Sequence, residues 1–310
     1  MKKLIGHIIV MLIPIFNWAQ QDAQYTQYMY NMSIINPAYT IENSKALSMG
    51  VLHRSQWTGM IGAPKTSTVF LRTPLKHNIQ TGFSIANDNI GDVVSENNFF
   101  VDIAYKLNFE KHGSLSFGIK TGITLFDVNF NDFKLESGDV FTDPNFQENI
   151  NKTFFNFGAG IYYNTENFYI GASIPNLLKA KHLNRNNGKY QGTEEPHLFI
   201  TGGFVFNLSD ELKLKPAFMH KSIEGFPSTI DFTANLLFNN KVEFGIGYRV
   251  DDSFSGLINL GITPNLRIGY AYDHTISNLG TFNSGSHEIM LLYNIFTKNG
   301  IGYNKSPRFF

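Results

Sequence analysis

"KVEFGIGYRV" occupies residues 241–250. Successive side chains of a β-strand face opposite sides. Val242, Phe244, Ile246, Tyr248 and Val250 therefore share one face, and Glu243, Gly245, Gly247 and Arg249 share the other. One face is apolar and aromatic; the other is charged or glycine. The same period of two recurs in "SLSFGIKTGITLF", with Leu115, Phe117, Ile119 and Ile123 opposed to Ser116, Gly118, Lys120 and Gly122. It recurs again in "FFNFGAGIYYN" and in "NLRIGYAYD", where Arg267, Gly269, Ala271 and Asp273 alternate with Leu266, Ile268, Tyr270 and Tyr272.

About fourteen such segments follow one another, near 46–57, 65–74, 78–88, 94–107, 114–127, 153–164, 167–175, 196–207, 211–220, 228–238, 241–250, 253–262, 265–275 and 286–296. A two-sheet sandwich also alternates, so the connections decide the fold. Every second link is short: "PLKH", "FEKHG", "TEN", "LSDE", "NN" and "TPN". The links between them are mostly long, including "TGMIGAP", "NIGDVVSE", "DVNFNDFKLESGDVFTDPNFQENINK" and "NLLKAKHLNRNNGKYQGTEE"; "DDS" is the short exception. Short turns at one rim and long loops at the other are the pattern of an outer-membrane barrel. The fold expected is all-β, a transmembrane antiparallel barrel of about 14 strands. Closure is a physical requirement, because an open sheet in lipid leaves its edge N–H and C=O groups unpaired.

Composition agrees with a protein whose outer surface is not mainly wet. Of 310 residues only 16% are charged and 15% are aromatic, with 29 Phe. Lys+Arg and Asp+Glu balance at 25 each, which argues against a nucleic-acid partner. There is no Cys, which excludes disulfides, thiolate chemistry and a cysteine-linked lipid anchor. Residues 1–20, "MKKLIGHIIVMLIPIFNWAQ", have the basic end and apolar core of a secretory signal, with cleavage expected after Ala19 or Gln20. That core is too short for a spanning helix of ~20 residues. The remaining organisation expected is a plug segment at 21–44, the barrel at 45–296 and a polar tail at 297–310. An even number of strands places both termini in the periplasm and the long loops outside.

Residues 24–39, "QYTQYMYNMSIINPAY", do not alternate. Tyr25, Tyr28, Met29 and Met32 lie three and four apart, the spacing of one helical face. Asp22 is placed to cap a helix and Pro37 to end it. The expectation is a short amphipathic helix that enters the barrel and lies inside or across the periplasmic mouth as a plug, with Asn36-Pro37 turning the chain toward the first strand. Gln24, Gln27 and Asn31 are expected to bond the charged inner wall.

These residues also carry a resemblance. "QDAQYTQYMYNMSIINPAY", "HRSQWTGMIGAPKT", "GIYYNTENFYIGASIPNLL", "YR", "SHEI" and the closing "SPRFF" follow in order across nearly the whole mature chain. Together they resemble the PorP/SprF family of the Bacteroidetes type IX secretion and gliding-motility system. Tyr25, Tyr28, Met29, Asn36, Pro37 and Tyr39 fall in the family's N-terminal motif; Thr40-Ile41 stands where members often read Ala-Gly. The resemblance implies an outer-membrane barrel that works with secretion components and with a large secreted cell-surface protein such as an adhesin.

Nothing in the sequence points to catalysis. The His residues are scattered among different segments, and none forms a metal-binding spacing. Asp273 and His274 are neighbours, so on a strand they face opposite ways. The acidic residues Glu136, Asp139, Asp143 and Glu148 of the third outer loop lack the spacing of a calcium loop. No metal or cofactor is expected. By alternation Arg54, Asp102, Lys106, Lys120, Lys213, Lys215, Asp231, Glu243, Arg249, Arg267, Asp273 and Glu288 point inward. A polar interior suits any barrel of this class. The function expected is that of a non-enzymatic docking partner in secretion; the rival is a channel for a small solute.

Overall fold

The structure is a computed structural model that describes residues 24–40, 46–75, 77–91, 93–109, 113–130, 149–178, 180–184 and 190–296. The signal segment, Asp22, the tail from residue 297 and the acidic residues of the third outer loop lie outside these.

The alternating segments form fourteen barrel strands: β1 (Ala46–Ser55), β2 (Lys65–Pro74), β3 (Ile79–Ile90), β4 (Val94–Phe109), β5 (Gly113–Val128), β6 (Ile150–Asn164) and β7 (Phe168–Ile174). After these come β8 (His197–Phe204, continued past Val205 by Phe206–Asn207), β9 (Leu212–Ile223), β10 (Thr229–Phe238), β11 (Val242–Arg249), β12 (Ser253–Gly261), β13 (Leu266–Thr275) and β14 (Ser286–Phe296). Each pairs antiparallel with its neighbours in sequence, and β14 pairs with β1, Ala46 opposite Phe296 and Ser55 opposite His287. The sheet is closed, so no edge faces lipid. Among the described residues no helix is long and apolar enough to cross a membrane.

Alternation sorts the two faces. Phe117, Ile119, Phe157, Phe244, Ile246 and Ile268 are exposed on the outer face, Ile246 at 70%. Arg72, Lys120, Lys215, Glu243 and Glu288 are buried inside. Apolar groups outside and charges inside invert the arrangement of a water-soluble protein, and suit a barrel bathed in lipid. The short turns lie at one rim. In the three-residue link 239–241, Asn239 and Asn240 adopt φ values of +50° and +53°. Asn tolerates that left-handed conformation in a turn.

Two links depart from the expectation. "NIGDVVSE" was expected as a long loop, but only residues 91–93 separate β3 from β4. The strands continue outward because their polar side chains pair across the ladder. Asn87 donates to Asn97 (2.8 Å), its direct partner, and Thr124 of β5 donates to Asn98 (2.5 Å), its direct partner on β4. With β4 and β5 at 16 residues each, against the ~9–11 that cross a bilayer, a wall of β3–β6 stands higher at the long-loop rim. The link between β7 and β8 contains a small hairpin of its own, Ala180–Asn184 against Tyr190–Glu194.

Candidate functional site: the occupied lumen

Residues 24–40 lie among the inward side chains of the barrel. They form a 3-10 turn (Tyr28–Tyr30) and one turn of α-helix, α1 (Met32–Ile35), in place of the single amphipathic helix expected. The reason is competition for backbone groups. The N–H groups of Thr26 and Gln27 donate to the Glu288 carboxylate (2.9 and 2.8 Å). The carbonyls of Ile34 and Ile35 accept from Lys120 Nζ (2.5 Å) and Ser173 Oγ (2.8 Å). A backbone group bonded to a charged wall residue gains more than from an ordinary helical bond.

Three clusters hold the segment. The first joins β1, β13 and β14 near the long-loop ends of those strands. Arg54 Nη2 pairs with Asp273 (2.7 Å), and Nη1 lies 3.4 Å from Glu288. Thr26 Oγ1 donates to Asp273 (2.7 Å) and accepts from Arg54 Nη1 (2.8 Å). Arg54 and Glu288 are direct partners across the β1–β14 ladder. Close by, Arg249 pairs with Asp231 (2.6 Å) and Asp252 (3.1 Å). In the second cluster, near the short-turn ends, Glu243 accepts from Tyr30 Oη and from Asn235 Nδ2 (2.5 Å), with Arg267 Nη1 at 3.5 Å. Lys215 Nζ lies over the Tyr30 ring, 5.9 Å from its centroid.

The third cluster takes the outgoing chain. Arg72 pairs with Asp102 (2.6 Å) and donates to the Tyr39 carbonyl. Thr40 and Ser116 hydroxyls meet at 3.3 Å. Asn36 Nδ2 donates to the Ile161 carbonyl (3.1 Å), while its Oδ1 accepts from Ala38 N–H (2.9 Å) and closes the turn at Pro37. Inward glycines make this approach possible. A Cβ on Gly118 would strike the backbone of Pro37 and Ala38, and one on Gly160 would strike Asn36 Oδ1.

The described segment thus descends the lumen, from wall residues near the long-loop ends at Thr26 to Ser116 near the short-turn end at Thr40. It runs along the barrel; the sequence reading has it inside or across the periplasmic mouth. Tyr25 reaches Thr68 Oγ1 (2.6 Å), Tyr39 packs edge-on against Tyr162 (5.7 Å), and Tyr28 and Met29 are fully buried. Gln27 and Asn31, expected to bond the wall, are buried with side-chain atoms that make no hydrogen bond among the described residues. Their part is taken by Thr26 and by backbone groups. Arg72, Ser173, Asn235 and Thr26 were missed from sequence. Alternation in "TSTVFLRT" does place Arg72 inward, but beside Phe70, whose large apolar side chain reads as lipid-facing and is in fact buried. Lys106 and Lys213 share the inward parity but are only half-buried. Among the described residues no group of three His, Asp or Glu side chains is placed to hold a metal ion.

A closed antiparallel sheet with an apolar outer face and a polar, occupied lumen defines a membrane-spanning barrel of the outer-membrane type. The chain matches, over residues 17–293, the family described as type IX secretion system membrane protein PorP/SprF, and it belongs to that family. No curated protein matches it significantly. Among solved structures it is similar to the CymD monoaromatic hydrocarbon channel, with 11% identity, a TM-score of 0.55, and 86% of this chain and 92% of that chain covered. It is also similar to the toluene transporter TbuX of Ralstonia pickettii, with 10% identity, a TM-score of 0.51, and coverage of 85% and 93%. At these identities the likeness is one of fold.

Proposed function

We propose that this barrel is a non-enzymatic partner in type IX secretion that docks a large secreted protein, such as an adhesin, during its export or surface attachment. The observation that carries this reading is the occupied lumen. The inward charges that would line a solute path are spent on one another and on residues 24–40. Arg54, Asp273, Glu288 and Glu243 each bond either the segment or a partner that does. A lumen filled in this way leaves the outer loops and rim as the working surface. Residues 24–40 act as the plug, the long loops face outward, and the tail from residue 297 lies in the periplasm.

A second reading is favoured by the two similar structures, one a hydrocarbon channel and the other a toluene transporter. In it the same barrel passes a small solute past the segment. Two measurements separate the readings. Co-purification of the tagged full-length chain with a large secreted surface protein, together with a silent wild-type barrel in planar bilayers, is the outcome expected. Steady single-channel conductance of the wild type, without such a partner, would replace docking by transport.

A further inference from the structure

At their long-loop ends, β13, β14, β1 and β2 carry polar groups on the outward face. Two rows of direct cross-strand partners define the patch. The upper row is Lys65, Ser55, His287 and Tyr272; the lower is Ser67, His53, Ile289 and Tyr270. The next row down is Val69, Val51, Leu291 and Ile268, all apolar and all exposed. Successive rows on one face of a strand are roughly 7 Å apart, so polar gives way to apolar over that distance. One row above, His274 stands opposite Phe254, which stacks on Tyr248 (4.7 Å). Aromatic rings above an apolar outward band form the girdle that marks the edge of the hydrocarbon. The headgroup layer of the bilayer therefore lies against the two rows.

The chemistry of the rows is that of an anion site. Lys65 is exposed, and among the described residues its ammonium has no carboxylate partner. The His53 ring is held between two hydroxyls, with Nδ1 at 2.9 Å from Ser67 Oγ and Nε2 at 3.3 Å from Ser55 Oγ. Even a neutral imidazole has one N–H, so at least one of these hydroxyls accepts from the ring and keeps its own proton for an outside acceptor. His287 Nδ1 meets Tyr270 Oη at 2.7 Å. With the phenol as donor, the His287 proton sits on Nε2, which is a further donor. The Tyr272 hydroxyl is spent on the Ser284 carbonyl (3.0 Å). The carboxylates of these strands and of β3 face the other way. Asp273 and Glu288 are buried in the lumen, and Asp88 accepts from the buried Thr66 (2.6 Å). No acidic side chain of these strands opposes an anion on the outward face.

We infer that this patch binds the phosphate of a phosphorylated lipid in the leaflet at the long-loop rim, with Lys65 as its charge partner and Ser55, His53 and His287 as donors to its oxygens. A phosphate monoester offers about two negative charges and several strong acceptor oxygens, and lysine meets it as a point charge. Lys65 and His287 stand two strand spacings apart, roughly 10 Å, a gap that two long side chains close from both sides. Neither docking nor transport is needed for this contact. Native mass spectrometry of the purified full-length barrel tests it, with diphosphoryl lipid A as the probe and its dephosphorylated form as the acyl-matched control. Wild type is expected to hold the dephosphorylated form about tenfold more weakly. Lys65→Gln is expected to weaken the diphosphoryl form several-fold, and Lys65→Gln combined with His287→Asn about tenfold or more. Lys241→Gln, at the short-turn rim, leaves it unchanged. Lys65 is exposed, so the single variant keeps the test open if the double variant fails to fold; heat-modifiable electrophoretic mobility checks both. Equal uptake of the two lipid forms, or wild-type affinity in both variants, would mean that acyl chains alone make the contact, and would overturn the phosphate site. Displacement of the lipid by millimolar inorganic phosphate would assign the site to the free anion and overturn the lipid. Unchanged lipid uptake with an altered oligomeric state in Lys65→Gln would give the patch to a second protein chain instead.

Discussion

Arg54 serves two carboxylates and one hydroxyl, all buried. Replacing a member of such a set leaves its partners charged without compensation, which commonly costs ~3–5 kcal/mol. Arg54→Met is therefore expected to destabilise the barrel by about that much. Thr26→Val should cost ~1–3 kcal/mol, because it strips Asp273 and Arg54 of one hydrogen bond each. Urea titration of folding into bilayers reads both. Equal, small effects would mean that the cluster is solvated and carries little. On the other face, Ile246 is exposed toward lipid, and Ile246→Arg is expected to cost ~2–4 kcal/mol near the midplane. Wild-type stability of that variant would put the register out by one residue, since a slip of one exchanges the two faces.

For the strands, alternation and link length were enough to read the order and the faces. Leu115, Phe117 and Ile119 lie outside and Ser116, Gly118 and Lys120 inside because period two admits no other arrangement on a half-lipid sheet. What alternation does not carry is the reach of a strand beyond the bilayer. Asn89 and Ile90 read as loop from sequence, and only their pairing with Ser95 and Val94 across the ladder makes them strand. The inner segment was legible in part. The spacing of Tyr25, Tyr28 and Met29 marks them for burial, but helical propensity is local, and Glu288, Lys120 and Ser173 are far away in sequence. Those long-range bonds decided its conformation. As an element, the segment is held by close approach at Gly118. Gly118→Val is expected to displace Pro37 and Ala38 and to make residues 24–40 cleavable by added protease while the barrel keeps its heat-resistant mobility. Protection equal to wild type would show that the wall yields around the new side chain.

At the scale of the whole molecule, the barrel is a ring whose centre is its own N-terminal residues. Deleting residues 24–33 is expected to leave a folded barrel, since the strand ladders do not depend on the segment. It should convert a silent barrel in planar bilayers into a conducting one. Continued silence would mean that the inner side chains collapse across the lumen without the segment.

The seam where β14 meets β1 has a further consequence, which concerns the order of assembly. Arg54 and Glu288 face each other across that seam, and Thr26 touches both. A closed ring cannot be entered sideways by a chain already joined to its first strand. The expected order is that the last strand comes round while the first residues are already in place, with Thr26 as a template that aligns the two ends in register. Chains without residues 24–33 should reach the same closed state more slowly, by a slower rise of the heat-resistant band during refolding into vesicles. An unchanged rate would mean that the seam finds its register from the strand ladder alone.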